Sequence, residues 1–244
     1  MEKRVFSTQP FLDEATEGFV LVHLDYSAER ETTPEEKKEL ERLEKLYGNP
    51  PLPTVFFADS QGRPFNTAEI VMNTPAWLVQ LREAKRDAQD LSNALATASA
   101  ASDEAKASEL KKVTDLLPIA TLKTFYPEVI ADLKEADPKD TTGFFAEMKR
   151  EEKLTAFLDS IDQLYEDGKL DEIISEANEL LGDSELDPSR KQEIILMKAN
   201  VYYEQKDYPA AMEALDALIA IDRQSNIAKE AADLKKGLAK EMEE

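Results

Sequence analysis

The chain contains no cysteine. That absence excludes disulfides, a thiolate nucleophile and zinc–thiolate ligation by these residues. Histidine occurs once, as His23, so no two imidazoles can share a metal or a proton relay. Glycine is scarce, seven in 244 residues, and no Gly-rich phosphate loop or nucleophile elbow is present. No apolar run approaches the ~20 residues that a membrane-spanning helix needs. The N-terminus lacks a signal-peptide pattern, because no apolar stretch follows the basic pair Lys3-Arg4. Positive charge is in deficit: 30 Lys and Arg against 51 Asp and Glu give a net charge of -21. That field repels phosphate backbones and anionic lipid surfaces, which disfavours nucleic acid and membrane partners and suits a solubilising surface. No cofactor or metal is expected.

The first third mixes strand and helix signals. Residues 18–26 (Gly18-Phe19-Val20-Leu21-Val22-His23-Leu24-Asp25-Tyr26) are a near-continuous apolar run rich in β-branched and aromatic residues, which predicts a strand buried on both faces. A helix is expected before it, from Phe11 to Thr16. After it, Thr33-Pro34-Glu35-Glu36 has a cap, a first-turn proline and first-turn acids, and so opens a helix. Leu40, Leu43, Leu46 and Tyr47 form that helix's apolar stripe, and Gly48 ends it. Residues 53–58 predict a second short strand, Asp59 to Gly62 a turn, and residues 64–71 a returning strand. Asn73-Thr74-Pro75 then opens a long helix.

The segment Pro53-Thr54-Val55-Phe56-Phe57-Ala58-Asp59-Ser60-Gln61-Gly62, together with Glu2-Lys3-Arg4-Val5-Phe6 and the run ending at Tyr26, resembles the thioredoxin-like family over residues 2–85. The resemblance implies an α/β thioredoxin-like domain lacking its first strand and its Cys-x-x-Cys pair, with the chain beginning inside the helix that follows those cysteines. It implies that Pro53 is a cis-proline and that Leu52, Pro53 and Thr54 hold an extended substrate. It also implies that the parent protein is a periplasmic or secreted thiol–disulfide oxidoreductase or disulfide-handling protein. A chain without cysteine cannot itself perform that exchange. The alternative is a non-catalytic adaptor that binds proteins or peptides.

From residue 86 onward only helices are expected, making an all-α second domain (86–244). Leu164-x5-Leu170-x2-Ile173-x3-Ala177 recurs 38 residues later as Tyr202-x5-Tyr208-x2-Ala211-x3-Leu215. Each copy has a polar turn, Asp167-Gly168-Lys169 and Gln205-Lys206-Asp207. The second copy resembles a tetratricopeptide repeat, which implies helical hairpins over about 153–222 and makes Tyr202 and Tyr208 candidate partner-binding residues. His23 is expected to be a partly buried strand residue, and Asp25 a solvated strand end. Asp137 and Asp183 open loops that superficially resemble calcium loops. They lack the glycine at position six, where Thr142 and Pro188 stand, and the glutamate at position twelve, so helix capping is their expected role.

Overall fold

The computed structural model describes residues 2–27, 30–48 and 50–241. Two compact units are present, residues 1–144 and residues 145–244.

In the first unit a π-helical turn (Glu2–Phe6) leads into α1 (Gln9–Thr16). Helix α2 (Pro34–Leu46) begins where its cap chemistry places it. Thr33 Oγ1 accepts the Glu36 amide at 3.2 Å, and a Glu36 carboxylate oxygen accepts the Thr33 amide at 2.8 Å, a reciprocal capping box. A hairpin follows, β1 (Phe56–Ala58) antiparallel to β2 (Pro64–Thr67), with Phe57 opposite Asn66 and an irregularity after Phe57. Helix α3 (Thr74–Ala100) is capped by Asn73, whose side chain accepts the Ala76 amide at 2.9 Å. Its Ala/Ser-rich C-terminal end stays helical. Then come α4 (Asp103–Thr114), α5 (Ile119–Phe125) and α6 (Pro127–Ala136).

Helix α1 packs on α3, α4 packs on α3 and α6, and β2 rests on α3 and α5. Trp77 lies at the centre, 1% exposed. Its indole N–H donates to the Val71 carbonyl at 2.8 Å, and the rings of Phe6 and Phe11 meet it edge-on at 5.0 and 6.1 Å. The buried indole therefore has both its apolar contacts and its one donor satisfied. The Glu14 carboxylate ties α1 to Arg82 and Lys85 of α3 at 2.9 and 3.1 Å.

This architecture corrects the expected fold class. The only sheet among the described residues is the two-stranded antiparallel hairpin. No parallel pair exists there, so the α/β thioredoxin-like domain implied by the resemblance is replaced by a mostly helical unit. The expected strand at 18–26 is neither strand nor helix, and Val20 is 90% exposed. His23, expected to be partly buried, is exposed too. An apolar run reports what a segment would do between two neighbouring strands. It supplies neither neighbour, and the hairpin pairs only within itself.

The second unit contains α7 (Phe144–Glu166, its first residue at the boundary), α8 (Leu170–Leu181), α9 (Pro188–Glu204), α10 (Tyr208–Ile221) and α11 (Asn226–Glu241). One buried cluster joins Leu154, Phe157 and Leu164 of α7 to Ile173 and Ala177 of α8 and to Ile194 and Val201 of α9. A second joins Ala199, Ala214, Leu215 and Leu218 to Ala228 and Ala231 of α11. Alanines at these contacts let the helix axes approach closely.

The 38-residue repeat is reproduced bond for bond at the two turns. Lys169 N donates to Leu164 O at 2.8 Å and Gly168 N to Tyr165 O at 3.0 Å. In the second copy Asp207 N donates to Tyr202 O, and Lys206 N to Tyr203 O, both at 2.9 Å. Both are Schellman endings, which need a left-handed residue one position past the cap. Gly168 supplies it at φ 71°, and Lys206 supplies it at φ 61°.

Candidate functional site

The exposed large apolar residues are unevenly divided. Val20, Leu21, Val22, Leu24, Leu52, Ile70, Met72, Val79 and Leu116 belong to the first unit, against Tyr203 and Leu234 in the second. Four of these, Val20, Leu21, Val22 and Leu24, fall in one short run, and contiguous exposed apolar surface marks interaction sites whereas scattered apolar residues do not, so the search for a site centres on the first unit.

A cleft of about 1010 Å³ lies between the end of α2, the hairpin, α3 and the α4–α5 corner. Tyr47, Phe56, Phe65, Leu91, Leu117 and Phe125 line it, and Leu116, 45% exposed, stands at its rim. Tyr47 stacks on Phe56 at 5.2 Å and meets Phe125 at 5.4 Å, so one tyrosine ring joins α2, β1 and α5. Arg42 and Lys45 of α2 and Asp87 and Asp90 of α3 add charges of both signs. Arg42 is held by Glu39 at 2.8 Å, and Asp87 accepts from the Asn66 amide at 2.8 Å.

The hairpin wall of this cleft is fixed at its turn. Asp59 accepts the backbone amides of Gln61 and Arg63 at 2.9 and 3.0 Å and the Arg63 guanidinium at 2.8 Å. Burial pushes the Asp59 carboxyl up, but the Arg63 amide and guanidinium outweigh it and hold the group below the usual carboxylate range. Arg63 lies 4.1 Å over the buried Tyr126 ring and reaches Glu128 at 2.9 Å. Burial pushes the Tyr126 phenol up to about 12. Tyr47 closes the arrangement, its hydroxyl donating to the Gly62 carbonyl at 2.7 Å.

The sequence-derived site residues are not brought together. Leu52 is exposed and its bond to Pro53 is cis, the geometry the resemblance implies. Thr54 is half-buried and its hydroxyl donates to the Pro51 carbonyl. None of the three lines the cleft. Tyr202 and Tyr208 belong to the other unit. Tyr202 packs on the α9–α10–α11 cluster, with the Lys198 ammonium 6.0 Å from its ring centre. Tyr208 is half-buried against Tyr203 at 5.8 Å, and Tyr203 is the more exposed of the two. The repeat pattern as read singled out the packing tyrosines and passed over Tyr203, although Tyr165 stands at the equivalent place 38 residues earlier.

Asp137 and Asp183 bind amides of their own loops, and in the second loop the helix cap is Asp187, whose side chain accepts the Ser189 amide at 2.7 Å at the start of α9. Asp137, 4% exposed, accepts the Thr141 amide and hydroxyl at 2.8 Å and the Thr142 amide at 2.7 Å. Those bonds, the Thr142 amide first, hold its carboxyl down at about 2. Asp183 accepts the Glu185 amide at 2.9 Å. Among the described residues no three His, Asp or Glu side chains are grouped to hold a metal ion, and no helix is long and apolar enough to cross a membrane. No protein-family model, curated protein or solved structure matches the chain.

Proposed function

We propose that the protein is a non-catalytic adaptor that binds protein or peptide partners through its first unit. The aromatic-floored cleft carries this reading. Its floor suits apolar side chains, and the charges on α2 and α3 suit the polar groups of a polypeptide. The thiol–disulfide reading has only the cis-Pro53 segment behind it, and this chain has no sulfur nucleophile.

A permanently unfolded probe, reduced and carboxymethylated lactalbumin labelled with fluorescein, tests the reading by fluorescence anisotropy. Leu116→Glu places a charge on the cleft rim and weakens binding about tenfold, the equivalent of ~1.4 kcal/mol. Leu52→Glu leaves the affinity unchanged. Absence of binding sinks the proposal, and so does a loss seen with Leu52→Glu but not with Leu116→Glu.

A further inference from the structure

Val20-Leu21-Val22-His23-Leu24 is an apolar run held at both ends and displayed in between. At its start Phe19 N donates to Ala15 O at 2.9 Å, and the Phe19 ring lies 5.5 Å from Phe57. At its end the Tyr26 hydroxyl donates to the Leu40 carbonyl at 3.3 Å. Between these anchors Val20 is 90%, Val22 76%, Leu21 51% and Leu24 39% exposed. Among the described residues, none of the backbone N–H or C=O groups of residues 20–24 has a hydrogen-bond partner. These exposed groups are left to water and stand open to a partner's backbone, and β-branched runs of this kind belong in sheets. In an extended conformation Val20, Val22 and Leu24 share one face.

The flanks indicate what pairs with it. Glu17 and Asp25 bound the run and Glu31 follows. The Glu17 side chain is 75% exposed, and Lys85 beside it is already shared with Glu14. The Ser27 amide holds the Asp25 carboxyl below its usual range, so it stays charged. Arg30 is engaged by Glu36 at 3.5 Å. A second copy pairing antiparallel would set Glu17 near Asp25 at both ends, and like charges across strands oppose pairing. A strand with cationic ends meets complementary charge at both.

We propose that residues 19–24 are a strand-addition site for an extended segment of another protein, one with alternating β-branched apolar residues and Lys or Arg at each end. The site uses no residue of the cleft, so it stands or falls separately from binding at the cleft.

The test uses the full chain and a fluorescein-labelled peptide, Lys-Lys-Val-Thr-Val-Thr-Val-Lys-Lys. Saturable binding is expected. It weakens at least about tenfold with Val22→Lys or Val20→Lys, with Glu in place of the peptide's Lys, with N-methylation of alternate peptide amides, and in ~0.5 M salt. Both variants change exposed side chains, and an unchanged circular-dichroism melting curve establishes that they are folded. Equal binding of the N-methylated peptide would mean apolar adhesion without strand pairing and overturns the proposal. So does an unaffected Val22→Lys, an absence of peptide binding, or concentration-dependent dimerisation lost in Val22→Lys while the peptide fails to bind.

Discussion

Replacing Gly168 with alanine and Lys206 with glycine gives opposite signs at two equivalent turns. At Gly168 φ is 71°, and an added Cβ would meet nothing within 4 Å. Only the backbone contributes: an L-residue in the left-handed region costs ~1–2 kcal/mol. Alanine also has less unfolded-state freedom to lose than glycine, which returns ~0.4–1 kcal/mol. The net expectation is destabilisation by ~0.5–1.5 kcal/mol for Gly168→Ala. At Lys206 the same backbone cost is already present at φ 61°, on an exposed residue. Lys206→Gly removes it and adds unfolded-state freedom, for a net stabilisation of ~0.5–1 kcal/mol. The turns are separate, so the double variant sums the two within ~0.5 kcal/mol. Urea unfolding followed by far-UV circular dichroism reads all three variants. The reasoning fails if Gly168→Ala is neutral or stabilising, because that is the result for a glycine at negative φ. It fails equally if Lys206→Gly costs stability, as glycine does in an ordinary helix interior.

Two further outcomes follow from buried polar groups. Gln192 is 1% exposed and donates to the Leu218 and Asp222 carbonyls at 3.1 and 3.0 Å, closing the end of α10; Gln192→Leu strands both acceptors and lowers the urea-unfolding free energy by ~1–3 kcal/mol, whereas a loss below ~0.5 kcal/mol would show that water replaces the amide. Asp137 has its pKa depressed to about 2 against an ordinary 3.8, so its contribution is present above pH ~4 and is lost as the pH falls toward 2; wild type and Asp137→Asn should differ in urea midpoint at pH 5 and converge toward pH 2, and a constant gap would contradict the assignment.

Much of the helical framework is legible in the chain because its signals are local. Thr33-Pro34 and Asn73 each mark a start with a side-chain acceptor that is found bonded to an amide of the first turn. Helix α5 had no such signal: it is seven residues long and opens on Pro118 with no polar cap. Gly168 announces a left-handed turn, but Lys206 does not, and only the 38-residue offset pairs them. Gln192 reads as a surface residue because its acceptors lie 26 and 30 residues away in sequence. The run at 18–26 fails for the same reason in reverse. Its composition describes a strand, but burial depends on neighbours that no local pattern encodes. The cleft is illegible throughout, since Tyr47, Phe56, Leu91 and Phe125 come from four elements and share no motif.

Charge narrows what the apolar surfaces can accept. A protein of net charge -21 repels another copy of itself and any acidic partner before contact is made. The repulsion is screened beyond ~8 Å at physiological salt, so charges near a docking surface decide specificity more than the total does. At the cleft those charges have both signs, Arg42 and Lys45 with Asp87 and Asp90. Around residues 19–24 the exposed charge is acidic, because Lys85 and Arg30 are already paired. Binding at the cleft should therefore respond weakly to salt, whereas binding at the 19–24 run should weaken steeply with it. The same peptide titrated at two ionic strengths distinguishes the surfaces without any mutation.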